Sequence, residues 1–267
     1  MPEGPSIVIL KDLVAGLHLR KPEVLEVIGN VTTIDKDRLL HRKVNNFKSW
    51  GKHFLICFDD FTVRIHFMLF GTYLINDSKK TPVKLGLSFK NDQLNFYTCK
   101  IDLLEGDINE HYDWKSDVMS KSWDPKLALK KLKETASSYI CDVLLNQKIF
   151  GGVGNIIKNE VLYRTKVHPL SKIEDIPLTK LKEIISESQR YSFDFLDWKK
   201  ENTLSKHWEV YLQKKCAADH QVTKQELGKT HRQCYVCDFC QRIILKNNFS
   251  DKIQMLLFVF LKNHSEL

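Results

Sequence analysis

The sequence predicts an α+β protein: an N-terminal β-sandwich or barrel with a flanking helix, a helical second half, and a small metal-binding module near the C-terminus. Three observations predict it. Short alternating or apolar runs, separated by turn signals, fill the chain to about residue 125. Helical spacing takes over from Asp124-Pro125, a helix-start pair. Four cysteines, Cys216, Cys234, Cys237 and Cys240, crowd the last part of the chain, as metal ligands do.

The first element is a helix over 7–17. Strands follow over 24–28, 53–58, 62–67, 71–75 and 94–97, with Asp59-Asp60 and Asn76-Asp77-Ser78 as turns. Strands of this kind bury their apolar faces by closing into a sandwich or barrel. Beyond Asp124, Leu127, Leu129 and Leu132 recur at helical spacing, and Tyr139, Val143 and Leu144 continue it. An amphipathic helix is expected over 155–164 and another over 179–196. From about Trp208 the chain is polar and cysteine-rich. These shifts divide it into 1–124, 125–206, 207–245 and a C-terminal extension, 246–267, in which 249–261 is expected to add a strand or helix.

Composition narrows the function classes. With 267 residues, 43% of them hydrophobic, the chain can bury two modest cores and a small module. The 41 Lys and Arg against 33 Asp and Glu leave +8, which favours a polyanionic partner. The longest apolar run, 255–261, is far short of the roughly 18 residues of a membrane helix. Met1-Pro2-Glu3-Gly4-Pro5 lacks the basic and apolar regions of a signal peptide, so the setting is expected to be intracellular and reducing. Cys57, Cys99 and Cys141 stand singly in apolar segments and read as small buried hydrophobes.

Three constellations carry chemistry. Met1 before a small residue is normally trimmed, which leaves Pro2 with a free secondary amine. An α-amino group titrates near pH 8, well below lysine, so it can attack an aldehydic carbon as a Schiff-base nucleophile. Glu3 stands beside it and can shuttle protons. The second is Gly151-Gly152-Val153-Gly154-Asn155 ahead of a helix. Glycines allow a tight turn, the helix contributes its positive end, and Asn155 supplies a cap or a direct contact, which together suit a phosphate. A plain glycine-rich helix–helix turn has the same look. The third is the cysteine cluster. Cys216-x3-His220, 16 residues, then Cys237-x2-Cys240 is structural-zinc spacing. The rival set uses Cys234 with Cys216, Cys237 and Cys240, a set that suits iron–sulfur.

Taken in order, these features resemble the formamidopyrimidine-DNA glycosylase/endonuclease VIII family over nearly the whole chain, to about Gln241. Met1-Pro2-Glu3-Gly4-Pro5 is similar to the family start, Gly4 to its endonuclease VIII branch, and Gly51-Lys52 to its Gly-Lys pair. Gln147 through His168-Pro169, with Gly152-Val153-Gly154-Asn155 and Glu160, resembles its helix-two-turn-helix element. Arg232, five residues before Cys237, and Cys237-x2-Cys240-Gln241 resemble the end of its zinc-finger β-hairpin.

The resemblance implies a bifunctional DNA glycosylase/AP lyase of base excision repair, a monomer gripping double-stranded DNA that carries oxidised bases or abasic sites. It would be nuclear in a eukaryote and nucleoid-associated in a bacterium. Pro2, Glu3 and Lys52 would be catalytic, with Lys52, Asn155 and Arg232 on phosphates. Met68, Leu69 and Phe70, bracketed by His66 and Gly71, would wedge into the duplex beside a flipped nucleotide. Cys216, His220, Cys237 and Cys240 would hold a structural Zn2+. Relatives that excise 8-oxoguanine carry an Arg-x-Phe motif and a capping insertion. Asn95-Phe96-Tyr97-Thr98-Cys99-Lys100 lacks the motif, and Thr203-Leu204-Ser205 runs almost directly into Trp208, so the resemblance points to oxidised pyrimidines. Ser6 departs from the pattern, since many members carry glutamate there. An 8-oxoguanine enzyme and a damage-binding protein that does not cut are the alternative readings.

Overall fold

A computed structural model describes residues 2–17 and 22–246; the stretch 249–261 lies outside the described residues. The chain opens with α1 (Gly4–Gly16), which has a proline in its first turn, where the missing N–H costs nothing. Ile7, Leu10 and Val14 line its buried face at spacings of three and four.

Eight strands follow: β1 (Glu26–Ile28), β2 (Asn46–Trp50), β3 (His53–Cys57), β4 (Phe61–His66), β5 (Thr72–Ile75), β6 (Leu85–Ser88), β7 (Gln93–Tyr97) and β8 (Lys100–Glu105). They form two four-stranded antiparallel sheets, in the orders β1-β6-β7-β5 and β2-β3-β4-β8. The facing sides share one core with α1, containing Phe54, Ile56, Val63, Ile65, Leu87 and Phe96. On β3 the opposite side is covered too, because Leu55 and Cys57 pack with Trp50, Leu104 and Tyr112. That double burial explains why β3 reads as a continuous apolar run rather than an alternating one.

The second half comprises α2 (Ile108–His111), α3 (Pro125–Lys133), α4 (Ile140–Val143), α5 (Asn155–Arg164), α6 (Leu178–Lys200) and a hairpin of β9 (Thr223–Leu227) with β10 (Arg232–Val236). The expected start at Asp124-Pro125 is where α3 begins, and the Asp124 carboxylate accepts from the amides of Lys126 and Leu127. The helical spacing does not run on to Leu144: α3 stops at Lys133, and Tyr139 precedes the separate single turn of α4. The helix over 155–164 forms at the expected place but is not amphipathic. Every residue from Asn155 to Tyr163 is buried, including Lys158, Asn159 and Glu160. A helix enclosed on all sides needs internal partners for its polar groups, and those partners build the site.

Candidate active site

Glu3 has no exposed surface, and its carboxylate reaches across the junction between the two halves. Its oxygens accept from the amides of Gly154 (3.1 Å), Ile156 (2.7 Å) and Ile157 (3.2 Å), the free donors at the start of α5. Gly154 is required there, since a Cβ would lie 2.3 Å from the Glu3 side chain. This corrects the reading of the glycine-rich turn as a phosphate cradle. The helix's positive end is already taken by a carboxylate of the same chain. It also corrects Asn155 as a cap: the N-cap is Gly154, and no side chain of 154–155 caps the helix. Burial raises the Glu3 pKa, with Lys52 and the three amides opposing it.

Lys52 leaves the β2–β3 turn beside Gly51, whose φ of +52° and closeness to the Gly152 backbone (a Cβ would lie 3.1 Å from its nitrogen) both disfavour a side chain. The Gly51 amide donates to Asp117 Oδ2 (3.1 Å), and the Met119 amide to Asp117 Oδ1 (2.9 Å). Burial pushes the Asp117 carboxyl up to about 6. Lys52 itself is shifted down, first by burial, and the Arg232 charge adds to that while Glu3 opposes it.

Two cavities meet at Pro2. One, of about 450 Å3, is lined by Pro2, Lys52, His66, Met68, Asn155 and Arg232 among others. The other, of about 440 Å3, runs from Pro2 past Ser6, Phe70 and Tyr73 to Lys199 at the end of α6. Leu69 borders both. The first is cationic, through Lys52 and Arg232. His66 lies in it with its pKa lowered, by burial first and then by Lys52, so it offers a neutral ring. His53 lines the same cavity, and burial first of all takes it down to about 3.

Met68, Leu69 and Phe70 project from a tight turn closed by the Gly71 amide on the Phe67 carbonyl (2.7 Å). A Cβ on Gly71 would meet that carbonyl at 2.3 Å. All three side chains are exposed, Phe70 at 79%. A rigid turn presenting three large apolar groups to water beside a cationic cavity fits a partner better than a core. The β7–β8 connection is two residues, Thr98 and Cys99, and neither lines these cavities.

The hairpin brings Arg232 to the first cavity. Its tip is held by Asp142 of α4, which accepts from the amides of Lys229 (2.8 Å) and Thr230 (3.0 Å) and from the Thr230 hydroxyl (2.7 Å). From α5, Lys158 donates to the Gln233 carbonyl and Asn159 accepts from the Tyr235 amide. Glu160 takes the amides of Glu209, Val210 and Tyr211, which lead into the finger. Asn155 lines the cavity, and among the described residues its Oδ1 has no hydrogen-bond partner.

Cys216, His220, Cys237 and Cys240 converge with all four ligand atoms within 4.8 Å of one another. Cys216 Sγ lies 3.8 Å from His220 Nδ1 and 3.9 Å from Cys240 Sγ, and Cys240 Sγ lies 3.4 Å from that nitrogen. Tetrahedral ligands at about 2.0–2.3 Å from zinc stand roughly 3.4–3.8 Å apart, so the group fits such an ion. Alternation along β10 decides between the two ligand sets. Tyr235 and Cys237 face the finger, whereas Cys234 and Val236 face the helical core. Cys234 is therefore not in the group.

Sequence reasoning missed Asp117, Asp142, Gln147 and Lys199 as parts of the site. Gln147 lies within the family-like stretch and closes the turn by accepting from the Gly152 amide and donating to the Val153 carbonyl. The two aspartates act on loops far away in sequence, and nothing local marks them.

A sandwich is thus joined to a helical half, and a hairpin carries Arg232 to the junction. Residues 116–191 match the family model described as the formamidopyrimidine-DNA glycosylase H2TH domain. The chain is 29% identical over 203 residues to Endonuclease 8-like 3 of Mus musculus, covering 72% of this chain and 33% of that protein. It is 31% identical over 204 residues to Endonuclease 8-like 2 of Bos taurus, covering 67% and 58%. It thus spans between a third and somewhat over half of these relatives. Among solved structures, a viral DNA glycosylase aligns with TM-score 0.77 at 22% identity over 90% of this chain and 100% of that one. The Lactococcus lactis Fpg bound to DNA containing an oxidised pyrimidine aligns with TM-score 0.78 at 18% identity over the same shares. The chain belongs to the formamidopyrimidine-DNA glycosylase/endonuclease VIII family, on its endonuclease VIII-like side.

Proposed function

We propose that the protein is a bifunctional DNA glycosylase/AP lyase whose nucleophile is the Pro2 amine, exposed once Met1 is removed. The observation that carries this reading is the position of Pro2 where the two cavities meet, one cationic and one lined by Ser6, Tyr73 and Lys199. Lys52, Asn155 and Arg232 take the phosphates around an extruded nucleotide, a sequence-independent grip. Met68, Leu69 and Phe70 enter the vacated stack, which offsets part of the few kcal/mol that unstacking costs.

The amine attacks C1′, the base departs, and the resulting Schiff base acidifies the 2′ position, so β- and then δ-elimination follow and nick the strand. Glu3 uses three of about four acceptor sites on its amides, which leaves one for a proton in transit. Burial raises its pKa, which favours holding that proton. Zinc in the Cys216, His220, Cys237 and Cys240 group would fix the hairpin that carries Arg232, a structural role. Oxidised pyrimidines are the favoured lesions: the two-residue β7–β8 turn and the short path from α6 to Trp208 leave no loop to cover a purine.

The test is an abasic-site duplex incubated with the protein, with and without borohydride. A nick without the reductant and a trapped covalent complex with it are expected. Tight binding with neither product would instead establish a non-cutting damage binder. A panel of thymine-glycol, dihydrouracil and 8-oxoguanine·C duplexes decides the lesion class.

A further inference from the structure

The cavity of about 440 Å3 beside Pro2 carries polar side chains that the proposed chemistry does not use. Among the described residues Lys199 is the one charged side chain lining it, and its ammonium has no ion-pair or hydrogen-bond partner. The next residue, Lys200, pairs with Asp12 (3.7 Å), about two turns along α1 from Gly4. The end of α6 therefore stands at the far end of the cavity from Pro2. Three hydroxyls lie along the way. That of Thr72 accepts from Lys79 Nζ (2.5 Å), which leaves its own proton to donate. Tyr73 packs on Phe67 with ring centroids 5.9 Å apart, and burial raises its pKa, so the phenol keeps its proton. Ser6, in the first turn of α1, is short and leaves the space open. No carboxylate and no side-chain amide lines the cavity among the described residues, so its side chains offer more donors than acceptors.

We propose that this cavity takes the extruded base and selects 2,4-dioxopyrimidine rings, with Lys199 reading the group at C4. The inference rests on the reading above, in which a damaged base is turned out beside Pro2. With the Pro2 nitrogen at C1′, the sugar end of the ring lies at Pro2 and the N3–C4 edge points away from it, towards Lys199. A carbonyl oxygen at C4, as in uracil- and thymine-derived lesions, accepts from the ammonium. An amine at C4, as in cytosine-derived lesions, sets donor against donor and leaves both unpaired, which a site built to donate rejects. Lys199 is thus a specificity-determining residue within the oxidised pyrimidines.

The test compares 5-hydroxyuracil with 5-hydroxycytosine in one duplex sequence, two rings that differ at C4 and in the N3 proton that goes with it. The full chain and its Lys199→Gln variant are measured for kcat/KM of base excision, and for Kd on 2′-fluorinated versions of both duplexes, which resist excision. The native protein should favour 5-hydroxyuracil by roughly tenfold in both readings. Lys199→Gln, whose amide accepts as well as donates, should narrow that ratio to about twofold or less. Comparing the ratio between the two proteins cancels the unequal leaving ability of the two bases. An unchanged ratio in the variant would overturn the proposal. So would equal losses on both bases with a smaller salt slope of binding, which would make Lys199 a phosphate contact. A protein that nicks nothing, abasic sites included, but keeps the preference in Kd and loses it in the variant refutes the cutting mechanism and supports the base selection.

Discussion

Glu3 holds the fold together and, on the proposed mechanism, also serves the reaction. Its carboxylate satisfies three amides at the start of α5 and sets where Pro2 sits. A glutamine there offers one oxygen and aims an NH2 at an amide donor. Glu3→Gln should therefore cost about 1–3 kcal/mol in denaturant unfolding for the amide left unpaired. It should also slow base release far more than nicking of a ready-made abasic site, where no base has to leave. Equal losses on both substrates would make Glu3 an anchor alone. Asp117 carries a pH signature. Its folded pKa of about 6 lies above the ordinary 3.8, so folding favours its protonated form. That contribution is complete below about pH 4 and is lost as pH rises through 6, about 2 units or roughly 3 kcal/mol. Between pH 7 and 5 the protein should gain stability, and Asp117→Asn should flatten that part of the profile. The sequence showed Pro2, Glu3 and Lys52 as candidates but not what Glu3 touches, because its partners lie more than 150 positions away. Spacing rules see only neighbours, which is why the glycine-rich turn read as a phosphate cradle.

The elements were legible where burial follows a simple period. α1, β3, β4, β5 and β7 lie close to their expected places, as do α5 and the start of α3. β2, β6 and β8 were not expected. Asn-Phe-Lys-Ser-Trp is half-exposed, Leu-Gly-Leu-Ser has glycine inside a strand, and Lys-Ile-Asp-Leu-Leu-Glu carries charges that suit a helix as well. Long-range pairing overrides propensity in all three. α5 fails as an amphipathic helix for a functional reason, since Lys158, Asn159 and Glu160 are buried in order to hold the finger. The hairpin tip depends on Asp142, and Asp142→Ala should weaken binding to an abasic-site duplex several-fold while zinc content stays at one per chain. Zinc loss in that variant would mean that the tip and the metal group are not separable. The ligand set is tested directly by His220→Ala, expected to lower zinc content, and by Cys234→Ala, expected to leave it intact. The cysteine spacing allowed both sets; only the alternation of β10 separates them.

At the scale of the molecule, the two halves meet backbone to backbone. The Gly4 amide donates to the Gly152 carbonyl at 2.9 Å, and a Cβ on Gly4 would lie 2.9 Å from Gly152 Cα. Only glycines allow this approach, and it brings Pro2, Lys52 and Arg232 around one opening. The proposed grip on DNA through Lys52 and Arg232 should be salt-sensitive, and Arg232→Ala should reduce the slope of log K against log salt by about 1, across all sequences alike. An unchanged slope would place Arg232 off the phosphates. The central claim concerns one atom, the Pro2 nitrogen. The most direct measurement is borohydride trapping on an abasic-site duplex, then nuclease and protease digestion and mass spectrometry of the modified peptide. The account predicts the sugar remnant on the N-terminal peptide, at the nitrogen of Pro2 with Met1 absent. A remnant on Lys52, or on any other lysine, would contradict it.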